Sequence, residues 1–226
     1  MKKSINKTET AEAVKNESVE IVFILDRSGS MSGLESDTIG GFNAMIEKQK
    51  KQGGSVTVST VLFDTERTVL HDRVPISEVA PMTDKDYFVG GCTALYDAVG
   101  SAVHRVSTVH RYARAEDVPG KTMFIITTDG LENASREYDC AGVKKLIEEK
   151  KKAGWEFIFI GANIDSAEVA AKVGISRERA VNYKADKKGT RAVYEAMSKA
   201  VCCLRREKSL ADEWRAELDE DFKNRG

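Results

Sequence analysis

The sequence predicts an α/β fold, a three-layer α/β/α sandwich around a mostly parallel central sheet with one antiparallel edge strand. Continuous apolar runs at residues 19–25, 123–128 and 155–160 have the character of strands buried on both faces, as strands of a parallel sheet are. Between them apolar residues recur at spacings of three and four, which places each set on one face of a helix. Residues 55–63 and 67–70 are rich in β-formers and joined only by Asp64-Thr65-Glu66. So short a link cannot make a parallel crossover and predicts a hairpin, hence the antiparallel edge.

In chain order, residues 1–18 are polar and mixed in charge, with too few large apolar side chains to offset the entropy of ordering, so they are expected to form a disordered or loosely docked tail. The first strand ends at Asp26. Leu34, Thr38, Phe42, Met45 and Ile46 mark the first helix, and the hairpin follows. Leu95, Val99, Ala102, Val103 and Val106 mark the next helix; Cys140, Val143, Leu146 and Ile147 mark another after the second apolar run. After the third run, Asp165 is placed to N-cap a helix containing Ala167 to Ala171. Residues 180–183 read as a last short strand, and Val193, Met197, Val201 and Leu204 as a closing helix. The main domain is therefore expected over residues 19–205. A charged amphipathic helix is expected over 206–226, with Leu210, Trp214, Leu218 and Phe222 as a stripe that packs against its own domain.

Composition excludes several functions. With 35 Lys+Arg against 36 Asp+Glu the net charge is -1, and nothing in that balance attracts a polyanion, so nucleic acid is not an expected partner. No apolar run approaches the roughly 20 residues that span a bilayer, so no membrane role is expected. The N-terminal lysines are followed by Thr, Glu and Lys where a secretory signal requires an apolar stretch. Cys92, Cys140, Cys202 and Cys203 contain no C-x-x-C pair and read as reduced thiols, which suits a cytoplasmic protein.

Chemistry concentrates in three stretches at strand ends or helix starts: Asp26-Arg27-Ser28-Gly29-Ser30, Gly90-Gly91-Cys92-Thr93 and Thr128-Asp129-Gly130. In an open α/β sheet, ligands bind outside the carboxyl ends of the strands at a switch point in strand order, where all three stretches can meet. The set offers the carboxylates of Asp26 and Asp129 and the hydroxyls of Ser28, Ser30 and Thr93. Hard divalent cations take oxygen ligands, so the set suits Mg²⁺ or Mn²⁺. Because hydroxyls are neutral, the cation's charge would be incompletely neutralised and a further carboxylate attracted.

Asp26-x-Ser28-x-Ser30, Thr93 and Thr128-Asp129-Gly130 together resemble the complete metal-ion-dependent adhesion site (MIDAS) of the von Willebrand factor A (vWA) domain family. Met31, the Gly-Gly-x-Thr-x-Leu context of Thr93, the hairpin and the strand–helix order extend the resemblance over roughly residues 19–205. It implies a Rossmann-like fold holding Mg²⁺, with Ser28, Ser30 and Thr93 as direct or switchable ligands and Asp26 and Asp129 direct or through water. It further implies a protein partner that completes the metal shell with a Glu or Asp. Stand-alone, intracellular, bacterial-type members resemble assembly factors that often work beside ATPases, so an ATPase or another assembly component is the kind of partner implied.

Singly, each element has a structural explanation: Thr93 as an N-cap, Ser30 or Ser32 as the cap of the helix near Leu34, Asp129-Gly130 as a turn. Their joint occurrence at three strand ends is what marks a site. Asn163, Glu132 and Asn133 could line its rim. A nucleophilic Cys92 lacks a base, since His71, His104 and His110 fall on the hairpin and a helix without metal or triad spacing. The leading expectation is a metal-dependent protein-interaction module and no enzyme. The alternatives are a Mg²⁺-dependent phosphohydrolase, although Ser28 stands where aspartate-based phosphatases commonly carry a second carboxylate, and a scaffold acting through the terminal helix.

Overall fold

The computed structural model describes residues 17–206, 210 and 212–225, so the expected tail falls outside the described residues up to residue 16. Strands β1 (Val19–Asp26), β2 (Val56–Phe63), β3 (Arg67–Pro75), β4 (Lys121–Thr128), β5 (Glu156–Ala162) and β6 (Ala180–Tyr183) form one sheet in the order β3-β2-β1-β4-β5-β6. Only β2 and β3 pair antiparallel; every other pairing is parallel. Helices α1 (Glu35–Lys50), α2 (Leu95–Tyr112), α3 (Cys140–Lys152), α4 (Ser166–Lys172), α5 (Lys187–Arg206) and α6 (Ala216–Asn224) complete the predicted sandwich.

The apolar runs are continuous because the sheet has a core on each face. Along β1, Val19, Ile21, Phe23 and Leu25 enter one core with Phe42 and Met45 of α1, Met197 of α5 and Leu218 of α6. Val22 and Ile24 enter the other, with Val99 and Val103 of α2, Val143 and Ile147 of α3 and Val169 of α4. Helices α1 and α5 approach closely at Gly41, where a Cβ would lie 2.2 Å from Cδ2 of Tyr194. The chain leaves β1 through α1 toward β2, then returns through α2 to β4 on the other side of β1. The order therefore reverses between β1 and β4, and a crevice opens at their carboxyl ends.

Two elements differ from expectation. Strand β3 continues to Pro75, well past Leu70, through irregular pairing around Thr60 and a positive φ of 54° at Arg73. The irregularity breaks the alternation that marks a strand in sequence. The C-terminal segment is not one helix: a 3₁₀ turn at Asp212–Arg215 precedes α6. Leu210, Trp214 and Leu218 are nonetheless buried in the core shared with α5 and β6, while Phe222 is half-buried with Lys184 Nζ 5.0 Å from its ring centre. Among the described residues no helix is long and apolar enough to cross a membrane.

Candidate metal centre

Strands β1 and β4 run side by side in register, Leu25 opposite Thr127, so the residues that end them are neighbours. Thr128 Oγ1 donates to Asp26 Oδ2 at 2.6 Å, and the Ser28 N–H donates to Asp26 Oδ1 at 2.7 Å. The carboxylate thus folds its own loop back, turning the chain into a 3₁₀ turn at Gly29–Met31. Ser28 Oγ and Ser30 Oγ lie 3.1 Å apart, and Ser30 Oγ donates in a short bond to Asp129 Oδ1. Gly130 borders two loops at once, since a Cβ there would be 3.6 Å from both Ser30 Oγ and Thr93 Oγ1. Asp26, Ser28, Ser30, Thr93 and Asp129 are therefore gathered at the crevice, with Thr128 among them.

The capping explanations for Thr93, Ser30 and Ser32 do not hold, although the chain does bend at Asp129-Gly130. Helix α2 has Ala94 at its N-cap position without a side-chain bond. Its first N–H groups are met by other residues: Glu132 accepts from Tyr96 at 2.9 Å, and Ser135 Oγ from Asp97 at 3.0 Å. The Thr93 hydroxyl is thus not used as a cap. Helix α1 begins after Leu34 with no side-chain cap, so neither Ser30 nor Ser32 serves there. Asp165 does cap α4, accepting from the Glu168 N–H at 3.0 Å.

Residues outside the motif hold the loops in place. Asp64 joins two of them: its Oδ2 accepts from Arg27 Nε at 2.8 Å, and its carbonyl from the Ala94 N–H at 2.9 Å. Gly91 has φ +68°, and a Cβ there would lie 2.7 Å from Thr65 Oγ1, so the hairpin tip can press against this loop only at a glycine. Asn133 brackets Thr93, accepting from its N–H at 2.9 Å and donating its own N–H to its carbonyl at 3.0 Å. Tyr87 OH supports β1 from beneath by donating to the Asp26 carbonyl at 2.5 Å. Asp97 accepts the N–H groups of Arg136, Glu137 and Tyr138 at 2.8–2.9 Å. Burial works against its charge, yet these donors hold its carboxyl below the usual range. Sequence reasoning placed Glu132 and Asn133 only at the rim and missed Asp64, Asp97 and Tyr87 as loop-holders. Hydrogen bonds across about 40 residues leave no local pattern.

Asp26 and Asp129 are 1% and 2% exposed. Burial pushes the Asp26 carboxyl above its ordinary 3.8, against the bonds from Thr128 and Ser28. Burial also raises Asp129, which Ser30 lowers and the Asp26 charge raises further. Asp129 Oδ2 is buried with no hydrogen-bond partner. Two buried carboxylates side by side, one with an orphaned oxygen, fit a bound cation. With Ser28, Ser30 and Thr93 beside the two carboxylates the donor set is hydroxyl-rich and hard; among the described residues no group of three or more His, Cys, Asp and Glu is arranged to hold a metal ion. The histidines lie elsewhere: His71 contacts Thr60 Oγ1 at 3.1 Å and the Ala80 carbonyl at 3.0 Å, His110 contacts Glu20 at 2.5 Å, and His104 is exposed on α2.

No protein-family model and no curated protein matches the sequence. Solved structures do match it. Proximal thread matrix protein 1 (PTMP1) from the mussel byssus superposes with a TM-score of 0.54 at 16% identity, covering 84% of this chain and 47% of its own. The PilB minor pilin from Streptococcus sanguinis gives 0.59 at 12% identity, over 86% of this chain and 63% of its own. The vWF domain of the type V pili tip protein Mfa5 from Porphyromonas gingivalis gives 0.60 at 12% identity, over 88% of this chain and 100% of its own. The chain spans about half the length of the mussel protein, one structure of which has a zinc-occupied MIDAS motif. At such identities the likeness is one of fold, and the fold of this chain is that of the vWA domain.

Proposed function

We propose that this chain is a metal-dependent protein-interaction module in which Asp26, Ser28, Ser30, Thr93 and Asp129 hold Mg²⁺ or Mn²⁺. The observation that carries the reading is the orphaned Asp129 Oδ2 beside a second buried carboxylate, in a cluster whose hydrogen bonds come from hydroxyls and a backbone N–H. When bound, the cation supplies an electrophilic coordination position for a Glu or Asp of a partner protein. The chain's own residues do the rest. Asp26 and Asp129 supply the negative charge, the three hydroxyls are neutral donors that leave part of the cation's charge uncancelled, and Asn133 and Asp64 hold the Thr93 loop against it. Zinc in the MIDAS motif of the mussel structure supports a divalent cation at this place in the fold.

The proposal includes no catalysis. A scaffold working through the C-terminal helix is disfavoured because Trp214 and Leu218, each 1% exposed, are already buried against α5 and β6. We place the protein in the cytoplasm, a setting supported by four free cysteines, and take an ATPase or another assembly component as its kind of partner. We also keep residues 1–18 and 206–226 as segments flanking the interaction domain. The test is capture of partners on immobilised protein in Mg²⁺. Proteins released by chelation, and absent on Asp26→Ala and Thr93→Ala that melt as folded protein, support the reading. Partners retained equally with and without metal overturn it.

A further inference from the structure

The loops that carry the candidate metal residues also carry unusual surface chemistry. Among the described residues the large apolar side chains left exposed are Val69, Phe88, Tyr112 and Leu131. Val69 lies on the edge strand and Tyr112 at the far end of α2, but Phe88 and Leu131 are on loops of the site. Leu131, 61% exposed, follows Gly130, which borders Ser30 and Thr93. Phe88, 56% exposed, stands two residues before Gly90, whose N–H donates to the Arg27 carbonyl at 3.0 Å. They sit on opposite sides of β1, Leu131 toward β4 and Phe88 toward the β2–β3 hairpin.

Phe88 is held by its own contact and Leu131 by the backbone that follows it. The Arg27 guanidinium lies 4.5 Å from the Phe88 ring centre and is itself held by Asp64 and Thr68 at 2.8 and 3.2 Å. The residues after Leu131 are tied by Glu132 to Ala134 and Ser135 and by Asn133 to Thr93. Apolar side chains held in solvent by fixed loops lose little freedom on binding and gain from burial, which is the character of binding anchors. We infer that Phe88 and Leu131 form an apolar rim on either side of the cation, and that the partner segment presents its acidic residue between apolar side chains. This rests on the proposed metal reading and adds the partner's neighbouring chemistry to it.

The probe is a displayed library of peptides with a central Glu and randomised flanks, selected on the full chain in Mg²⁺. Enrichment of apolar residues on both sides of the Glu is expected. Phe88→Ser and Leu131→Ser should each weaken an enriched peptide about tenfold, with Mg²⁺ affinity and melting temperature unchanged and Tyr112→Ser without effect. Mg²⁺-dependent peptides with polar flanks, or with affinities indifferent to both rim variants, overturn the inference while the metal reading stands. Peptides that bind equally after chelation overturn both.

Discussion

Strand β1 carries a buried carboxylate at each end, and the two are treated in opposite ways. Glu20, fully buried, is met from within the molecule by Arg73 on the edge strand and by His110 of α2, 2.5 Å from its other oxygen. Arg73 has a left-handed backbone, φ 54°, where the β2–β3 pairing is irregular. Asp26, 1% exposed, is met by hydroxyls and backbone N–H groups, among them Thr128 Oγ1 and the Ser28 N–H, and lies beside a second acid, Asp129. The basic residue nearest in sequence, Arg27, is turned to Asp64 instead. The charge at one end is compensated where it stands; at the other, we propose, a bound cation compensates it.

The largest expected effect is at the compensated end. Glu20→Ala leaves Arg73 without its partner at a half-buried position and should cost about 3–5 kcal/mol of unfolding free energy in a urea titration. An unchanged midpoint would remove the structural half of the contrast.

At the other end the sign inverts. Asp129→Asn removes a like charge facing Asp26 and should stabilise the metal-free protein by about 1 kcal/mol. Excess Mg²⁺ at 100 times its dissociation constant should raise wild-type stability by about 2.7 kcal/mol and leave this variant unmoved. Thermal melts with and without chelator compare the two; a variant less stable than wild type without metal would show that the pair is no burden.

The pH dependence sharpens the same point. Both site carboxyls titrate above 3.8, so the folded metal-free protein holds protons that the unfolded chain has already released. The stability this contributes is present in full below 3.8 and is lost as pH rises through the raised values. The advantage of Asp129→Asn should therefore grow with pH above 3.8 and vanish below it, while wild-type Mg²⁺ affinity rises with pH. Urea midpoints of both proteins across pH 3–7 read the first trend, and an advantage independent of pH would contradict it.

The smallest effect is expected at an exposed pair. Arg105 and Asp72, 55% and 46% exposed, form a surface ion pair, and Arg105→Ala should cost at most about 0.5 kcal/mol in the same urea assay.

The contrast between the two ends also marks what sequence can reveal. Asp26, Ser28 and Ser30 sit within five residues and end an apolar run, so their alternation is readable along the chain. Thr93 and Asp129 follow because strand ends in a doubly wound sheet converge. Glu20 sits in an apolar strand, and nothing local ties it to Arg73 or His110, 53 and 90 residues away. Asp64 looks like an ordinary hairpin residue until the fold brings Arg27 and Ala94 to it. The 3₁₀ turn before α6 is likewise invisible in sequence, because Leu210, Trp214 and Leu218 satisfy a helical period while Trp214 itself lies in that turn. Periodicity reports which side chains are buried, and here several backbones would bury the same ones.

In the proposed function Asp26 and Asp129, at the carboxyl end of the sheet, hold a cation. Calorimetric titration of Mg²⁺ into metal-free wild-type protein, beside folded Thr93→Ala and Asp129→Asn, tests it most directly. Saturable one-site binding to wild type, weakened in the first variant and lost in the second, is the predicted result. No heat from folded wild-type protein, or equal binding by all three, would contradict it.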